Sequence, residues 1–168
     1  YGSPYGLLPL RQRIALMLAE RSINVDPTQV LLTQGANDAL DMIVRHFIEP
    51  GDPVLVDNPG YYPLFGKLRL AKAKLIGVRR NADGPDPEDL AHLAATTGAK
   101  LFFTQSLAHN PTGCSITLPV AYRLMQVATQ HHLRIVDTDP FADILPAGSP
   151  RLAALDQLDR VIYVGTFA

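Results

Sequence analysis

The amino-acid sequence predicts an α/β fold, a mostly parallel, doubly wound sheet with helices on both faces. Short runs rich in Val, Ile, Leu and Phe recur along the 168 residues, and they lack the in–out alternation of half-exposed strands. Such continuous apolar runs are typical of strands buried on both faces. Helical patterns separate most of the runs, which favours parallel pairing. The length suits one domain.

Six runs are predicted as strands: Val30–Thr33, Val54–Asp57, Lys74–Val78, Lys100–Gln105, Arg134–Asp137 and Val161–Gly165. Four helices are predicted between them from apolar spacing and cap residues. The first carries an apolar face of Leu10, Ile14, Met17 and Leu18, and the second covers Ala36–Ile48. The third has Asp86 as its N-cap with Pro87 at its first position, and the fourth follows Thr117 as its N-cap.

Composition excludes several classes of protein. The net charge of −1 gives no support for a nucleic-acid or membrane-surface binder. Charged residues make up only 18%, against about 25% in typical domains, so we expect a large share of the surface to be covered, either within the domain or by a partner. A single cysteine, Cys114, excludes an internal disulfide, and no apolar run is long enough for a membrane span. We therefore expect a cytoplasmic protein and no metal site.

The first candidate site is a turn that enters the second helix. Gly35 permits a tight turn, after which the backbone amides of Ala36 and Asn37 point outward at the positive end of a helix. This arrangement is suited to a phosphate group, although a plain turn into a helix explains the same residues. The sequence contains neither the G-x-G-x-x-G fingerprint nor a P-loop.

Further candidates follow the other predicted strands, because ligands bind beyond the carboxyl ends of strands in such sheets. Tyr61 could lay its ring against a planar ligand, or it could pack on its own loop. Asn110 could donate a hydrogen bond to a ligand oxygen. The acids around Thr138 could face a cationic nitrogen or cap the turn that follows, and Thr166 could reach a phosphate.

The order of these segments resembles the large domain of the fold-type-I pyridoxal-phosphate (PLP) enzymes, the aspartate aminotransferase family. It is most similar to the aminotransferase-like domain of MocR-type transcriptional regulators in the GntR group. The resemblance covers nearly the whole chain, and its most specific block is the Asn-Pro-Thr-Gly stretch. The matching segments are Tyr1–Gly2, Gly6–Arg11, Gly35–Leu40, Pro50–Asp52, Pro59–Tyr61, His109–Gly113 and Asp137–Phe141.

The resemblance implies a role for each candidate residue. The turn at Gly35, Ala36 and Asn37 would bind the cofactor phosphate, together with the hydroxyl of Thr166. Tyr61 would stack on the pyridine ring, and Asn110 would donate to the ring hydroxyl oxygen. A carboxylate would pair with the ring nitrogen, so that the ring can accept electrons.

The carboxylate is one departure from the family pattern. The family usually places an acid three residues before a tyrosine, but here Phe141 stands at the tyrosine and Thr138 three residues before it. MocR-type domains often place the acid two residues before, which selects Asp139, with Asp137 as a second choice. If Thr138 occupies the position instead, the electron sink is weakened.

The lysine that binds the cofactor covalently is a second departure, because it would follow Ala168 directly. Residues 1–168 are thus expected to be a fragment of the PLP-binding large domain, with the N-terminal region, the lysine segment and the small domain outside it. The fragment itself is expected to hold no catalytic residue and to be inactive.

The leading hypothesis is a PLP-binding, aminotransferase-like domain that senses an effector in a MocR/GntR-type regulator. A freestanding amino-acid aminotransferase is one alternative, and a non-catalytic nucleotide-binding α/β domain is another. The expected partners are a small amino acid or amine and a second copy of the chain, with DNA bound only through a domain outside this one. No membrane partner is expected.

Overall fold

The computed structural model describes residues 3–145 and 149–167. Tyr1, Gly2 and Ala168, which belong to segments used in the family comparison above, lie outside the described residues. The helices are α1 (Leu8–Glu20), α2 (Ala36–Phe47), α3 (Tyr62–Leu70), α4 (Pro87–Thr97), α5 (Leu118–Gln130) and α6 (Leu152–Asp156), with a 3₁₀ turn at Pro27–Gln29. The strands are β1 (Pro53–Asn58), β2 (Lys74–Asn81), β3 (Gly84–Pro85), β4 (Leu101–Thr104), β5 (Arg134–Asp139) and β6 (Val161–Gly165).

The strands form one sheet in the order β3-β2-β1-β4-β5-β6. All neighbours are parallel except β2 and β3, which form a short antiparallel pair. Because the parallel strands run in one direction, their carboxyl ends share one edge of the sheet. The predicted α/β fold with a mostly parallel sheet is confirmed.

Two apolar layers cover the sheet. On one face, which we call the α4–α5 face, Leu90 of α4 and Leu124 of α5 pack against Phe102 and Ile135. On the other, the α2–α3 face, Leu40 of α2 packs with Val136 and with residues of α3. Since successive residues of a strand point to opposite faces, the two layers show which way each side chain of the sheet points.

One predicted strand is wrong. Val30–Thr33 is extended but forms no strand within the described residues; the Leu32 amide donates to the Tyr5 carbonyl at 3.1 Å. An apolar groove of about 700 Å³, lined by this segment and by β6, separates it from the edge of the sheet. The apolar pattern of the segment therefore reflects packing along a groove and not a hydrogen-bonded ladder.

Other element predictions hold with small changes. The Asp86 side chain accepts from the amides of Glu88 and Asp89 and so caps α4 as predicted, and Gly98 ends that helix at a φ of 71°. Thr117 precedes α5, but its side chain makes no capping bond. The sequence prediction missed α3, α6 and β3. Within the described ranges, each helix is too short or too polar to cross a membrane.

Candidate functional site

A small cavity of about 20 Å³ opens at the carboxyl edge of the sheet, around Tyr61. Tyr61 immediately precedes α3, whose first turn contains Pro63, and its ring lies 6.4 Å from that of Tyr62. Tyr61 is half-buried, whereas Tyr62 is 78% exposed. The cavity is too small for an aromatic ring, so a planar ligand at this edge would lie outside it, against the partly exposed members of its lining, Tyr61, Phe65 and Thr138. That lining is Leu40, Val56, Asp57, Tyr61, Leu64, Phe65, Phe103, Thr104, Gln105, His109 and Thr138.

Asn110 lies at the same edge of the sheet. Its backbone amide donates to Oε1 of Gln105 at 2.9 Å, and both Gln105 and His109 line the cavity around Tyr61. Asn110 is exposed. Because β1 and β4 are neighbours in the sheet, the segments that follow them lie at the same edge, and so do the two residues predicted to contact one planar ligand.

A buried ion pair supports the turn that carries Asn110. Arg80, at the end of β2, donates from Nη1 to Oδ2 of Asp57 at 2.9 Å and from Nη2 to the Gln105 carbonyl at 3.1 Å. The same Asp57 oxygen accepts from the Thr104 hydroxyl at 2.8 Å. Burial raises the pKa of Asp57 to about 6, while Arg80 works in the opposite direction. Asp57 is therefore ionised at neutral pH and paired with the guanidinium.

His109 completes this network. Its Nε2 lies 3.4 Å from Asp57 Oδ2, and its Nδ1 lies 2.9 Å from the hydroxyl of Thr112. Burial and, to a smaller extent, the charge of Arg80 together lower the pKa of His109 to about 4. The imidazole is consequently neutral at pH 7 and helps to shape the turn without adding charge.

The predicted phosphate turn lies at the groove next to β6. Gly35 precedes α2 with a φ of 87°, a conformation that favours glycine, and its carbonyl accepts from the Asp38 amide at 3.1 Å. Gly35 and Thr166 both line the 700 Å³ groove. Within the described residues, the amides of Ala36 and Asn37 donate to no acceptor. The structure thus brings the predicted phosphate donors to one side of the molecule.

The predicted role of Asp139 requires its side chain to lie on the same face of the sheet as Tyr61. In the structure the two side chains lie on opposite faces. Its Oδ2 accepts from Nε of Arg151 at 2.8 Å and from the hydroxyl of Tyr163 at 2.9 Å. Tyr163 packs on the α4–α5 face, whereas Tyr61 packs on the α2–α3 face. The physical reason is strand alternation, which places Asp139 and Thr138 on opposite faces.

Asp137, the second choice, also points to the α4–α5 face. It is fully buried, and its two oxygens accept from the amide and hydroxyl of Ser106 at 2.9 and 2.7 Å. Burial raises the pKa of Asp137 to about 7, and the Ser106 bonds offset only part of this effect. Among the described residues, no group of three or more His, Cys, Asp or Glu side chains could hold a metal ion.

The sequence interpretation missed Arg80, Gln105 and Arg151 as parts of the site's framework. Arg79 and Arg80 look alike in the sequence, and only strand alternation separates them. Val78 and Arg80 point to the same buried face, so Arg80 faces inward, and Arg79 lies outside. Counting every second residue along β2 from the buried Val78 could have identified Arg80 as an inward-facing residue.

Comparison with known proteins supports this reading of the fold. The chain is 30% identical over 174 residues to 2-aminoadipate transaminase of Thermus thermophilus, covering all of this chain and 42% of that protein. It is 32% identical over 152 residues to the "Probable rhizopine catabolism regulatory protein MocR" of Rhizobium meliloti, covering 89% of this chain and 30% of that protein.

A solved structure gives a similar result. The α-aminoadipate aminotransferase of Thermus thermophilus, solved in complex with N-(5′-phosphopyridoxyl)-L-leucine, matches with a TM-score of 0.91 and 29% identity over 100% of this chain and 43% of that one. The chain therefore spans less than half the length of these relatives. The family model for aminotransferase class I and II matches residues 1–168. The chain belongs to the class I and II aminotransferase family.

Proposed function

We propose that this chain supplies the cofactor-binding edge of a PLP site within a longer protein. The observation that carries the proposal is the joint placement of Tyr61 and Asn110 at one edge of the sheet. Relatives support it, since one of them was solved with a phosphopyridoxyl amino acid. The covalent lysine would come from residues beyond Ala168.

The residues present fit most of the cofactor. The amides of Ala36 and Asn37, which donate to no acceptor among the described residues, offer donors to a phosphate, and Thr166 lines the groove next to this turn. Tyr61 offers a half-buried ring for stacking, and the side chain of Asn110 is accessible to donate to the ring oxygen. When bound, the cofactor supplies an acceptor for electrons released at the Cα of an amino acid.

The buried framework would keep these groups in place. Arg80 fixes the carbonyl of Gln105, and the side chain of Gln105 holds the amide of Asn110. Because a buried charge pair with good geometry resists displacement, Asn110 would be oriented before any ligand arrives. Binding then costs less ordering of the turn.

For the whole protein, we propose that the domain senses an amino acid or amine in a MocR-type regulator that assembles as a cytoplasmic homodimer. Relatives that are regulators support this role. Exposed apolar side chains on α1 and α3, such as Leu8 and Leu70, support self-association. A freestanding aminotransferase is the second candidate, and the transaminases among the relatives favour it.

The binding test uses the full-length protein that contains this chain. PLP is titrated and followed by its absorbance, with pyridoxal as the ligand that lacks the phosphate. Tyr61→Ala is expected to weaken PLP binding about threefold to tenfold, since ring stacking contributes about 0.5–1.5 kcal/mol. Tyr62→Ala, its exposed neighbour, is the matched control and should bind normally. Equal binding of PLP and pyridoxal, or no absorbance change with PLP, contradicts the proposal.

A second measurement separates the two candidate functions. A regulator should bind DNA through a further domain and respond to PLP and an amine by a change in DNA affinity. A freestanding enzyme should convert an amino acid to a keto acid with multiple turnovers. Turnover by the full-length protein without any DNA binding would favour the second candidate.

A further inference from the structure

We infer that the ring-facing position of this site carries the hydroxyl of Thr138 in place of a carboxylate, which leaves the cofactor's pyridine nitrogen unprotonated. This inference rests on the proposed function and adds to it a specific electronic property. It distinguishes this chain from relatives that hold the nitrogen with an acid.

The alternation of β5 carries the inference. Ile135 packs on the α4–α5 face, and Val136 packs on the α2–α3 face. Continuing the alternation places Thr138 on the α2–α3 face. Thr138 also lines the cavity shared with Tyr61, and Asp139 is absent from the lining of that cavity.

Among the last three residues of β5, Thr138 has the most solvent-exposed side chain. It is half-buried, whereas Asp137 and Asp139 are at most 1% exposed. Its hydroxyl donates to the Thr104 carbonyl at 3.3 Å, a long bond that a nearby acceptor could replace. A hydroxyl can donate to a neutral nitrogen, but it has no charge with which to stabilise a protonated one.

The other carboxylates near this edge are buried and bonded to protein groups. Oδ2 of Asp139 accepts from Arg151 and Tyr163, while its buried Oδ1 has no partner among the described residues, and Asp137 accepts two bonds from Ser106. Among the described residues, Asp57 is the one carboxylate in the cavity lining, and it is buried with its Oδ2 2.9 Å from Nη1 of Arg80. Its Oδ1 has no partner among the described residues, but the adjacent guanidinium cancels most of the attraction that a ring cation would feel.

The consequence concerns chemistry at the bound cofactor. A neutral pyridine ring withdraws electrons less strongly than a protonated one, so deprotonation at the Cα of an amino acid would be slow. Binding of PLP through phosphate, ring face and ring oxygen would remain. A site of this kind suits recognition of an amine better than rapid turnover, which agrees with the sensing role proposed above.

The test is nitrogen-15 NMR of the full-length protein loaded with PLP labelled at the ring nitrogen, because that chemical shift separates protonated from neutral pyridine. At neutral pH the wild type should show the neutral shift. Thr138→Asp should move the signal to the protonated position, and Thr138→Asn, similar in size but uncharged, should not. Asp139→Asn should leave the wild-type spectrum unchanged.

The wild-type spectrum alone can overturn the inference, whether or not Thr138→Asp folds. A protonated signal in the wild type contradicts it, and loss of that signal in Asp139→Asn would identify Asp139 as the acid. Loss in Asp57→Asn would identify Asp57 instead. Absence of any bound PLP signal or absorbance change overturns the proposed function and the inference together, whereas bound but protonated PLP overturns the inference alone.

Discussion

Burial of Asp137 predicts that this protein loses stability as the pH rises. The carboxyl is fully buried, and burial raises its pKa from 3.8 to about 7. Between these two values the native state holds a proton that the unfolded chain releases. The free energy of unfolding therefore falls with increasing pH across this range, as linkage requires.

The magnitude follows from the same shift. A difference of roughly three pKa units at ~1.4 kcal/mol each gives a penalty of about 4 kcal/mol above pH 7, of which ~2–3 kcal/mol accumulates between about pH 5 and pH 8.5. In Asp137→Asn the side-chain amide can keep both bonds to Ser106. Its oxygen accepts from the backbone N–H of Ser106, and its NH2 group donates to Oγ of Ser106. We expect this variant to be more stable than the wild type, with a gain that grows by ~2–3 kcal/mol over that pH range.

Urea unfolding followed by circular dichroism at the two pH values measures the effect. Asp159→Asn is the control, because Asp159 is 77% exposed and makes only a 3.8 Å contact with Arg160. Its effect should be small and nearly independent of pH. A gain for Asp137→Asn that is equal at both pH values, or a loss of stability at the higher one, would show that the buried carboxylate is stabilised and would refute the reasoning.

Three more perturbations test the framework by urea or thermal unfolding. Arg80→Met should lower the free energy of unfolding by ~3–5 kcal/mol because it leaves the buried carboxylate of Asp57 without its cationic partner. Adding Asp57→Leu should recover most of the lost stability, and no recovery would contradict the pairing. Phe102→Ala should lower the free energy of unfolding by about 3–5 kcal/mol, whereas Leu70→Ala should change it by no more than ~0.5 kcal/mol because Leu70 is 86% exposed. Equal losses would mean that the core is misplaced. Asp86→Ala should cost ~1 kcal/mol and Asp86→Asn less, since Asn still caps α4; equal costs would exclude capping.

The fold was largely predictable because its strands are buried on both faces. Val161–Gly165 has the same bounds in sequence and structure, since an apolar run flanked by polar residues marks a strand, and here it is the edge strand β6. Val30–Thr33 has a similar run, yet its backbone bonds to Tyr5 along a groove. Hydrophobicity predicts burial, and it does not reveal whether a neighbouring strand completes the ladder. The helix α3 was missed because Pro63 and Gly66 resemble loop residues, although proline is well tolerated in a first turn.

The location of the site was predictable for a topological reason. The carboxyl ends of neighbouring parallel strands share one edge, so residues after β1 and β4 were expected near each other, and Asn110 is hydrogen-bonded to Gln105, which lines the cavity with Tyr61. The buried support of the site could not be predicted in the same way. Arg80 contacts Asp57 from a strand end far along the chain, and only coordinates show that its guanidinium is enclosed.

The choice of acid shows where counting along the sequence fails. The spacing found in MocR-type domains selects Asp139 because it is counted back from Phe141. Strand β5 ends at Asp139, so Phe141 lies beyond the strand. Past a strand end the period of two no longer holds, so that spacing does not determine which face a side chain occupies. Parity counted within the strand from Val136 does determine it, and it selects Thr138. The three-residue spacing usual in the family selects Thr138 as well, so two independent rules agree against Asp139. The buried bonds of Asp139 to Arg151 and Tyr163 then have a structural reading, in which they join β5, β6 and the start of α6 on the face away from the ligand.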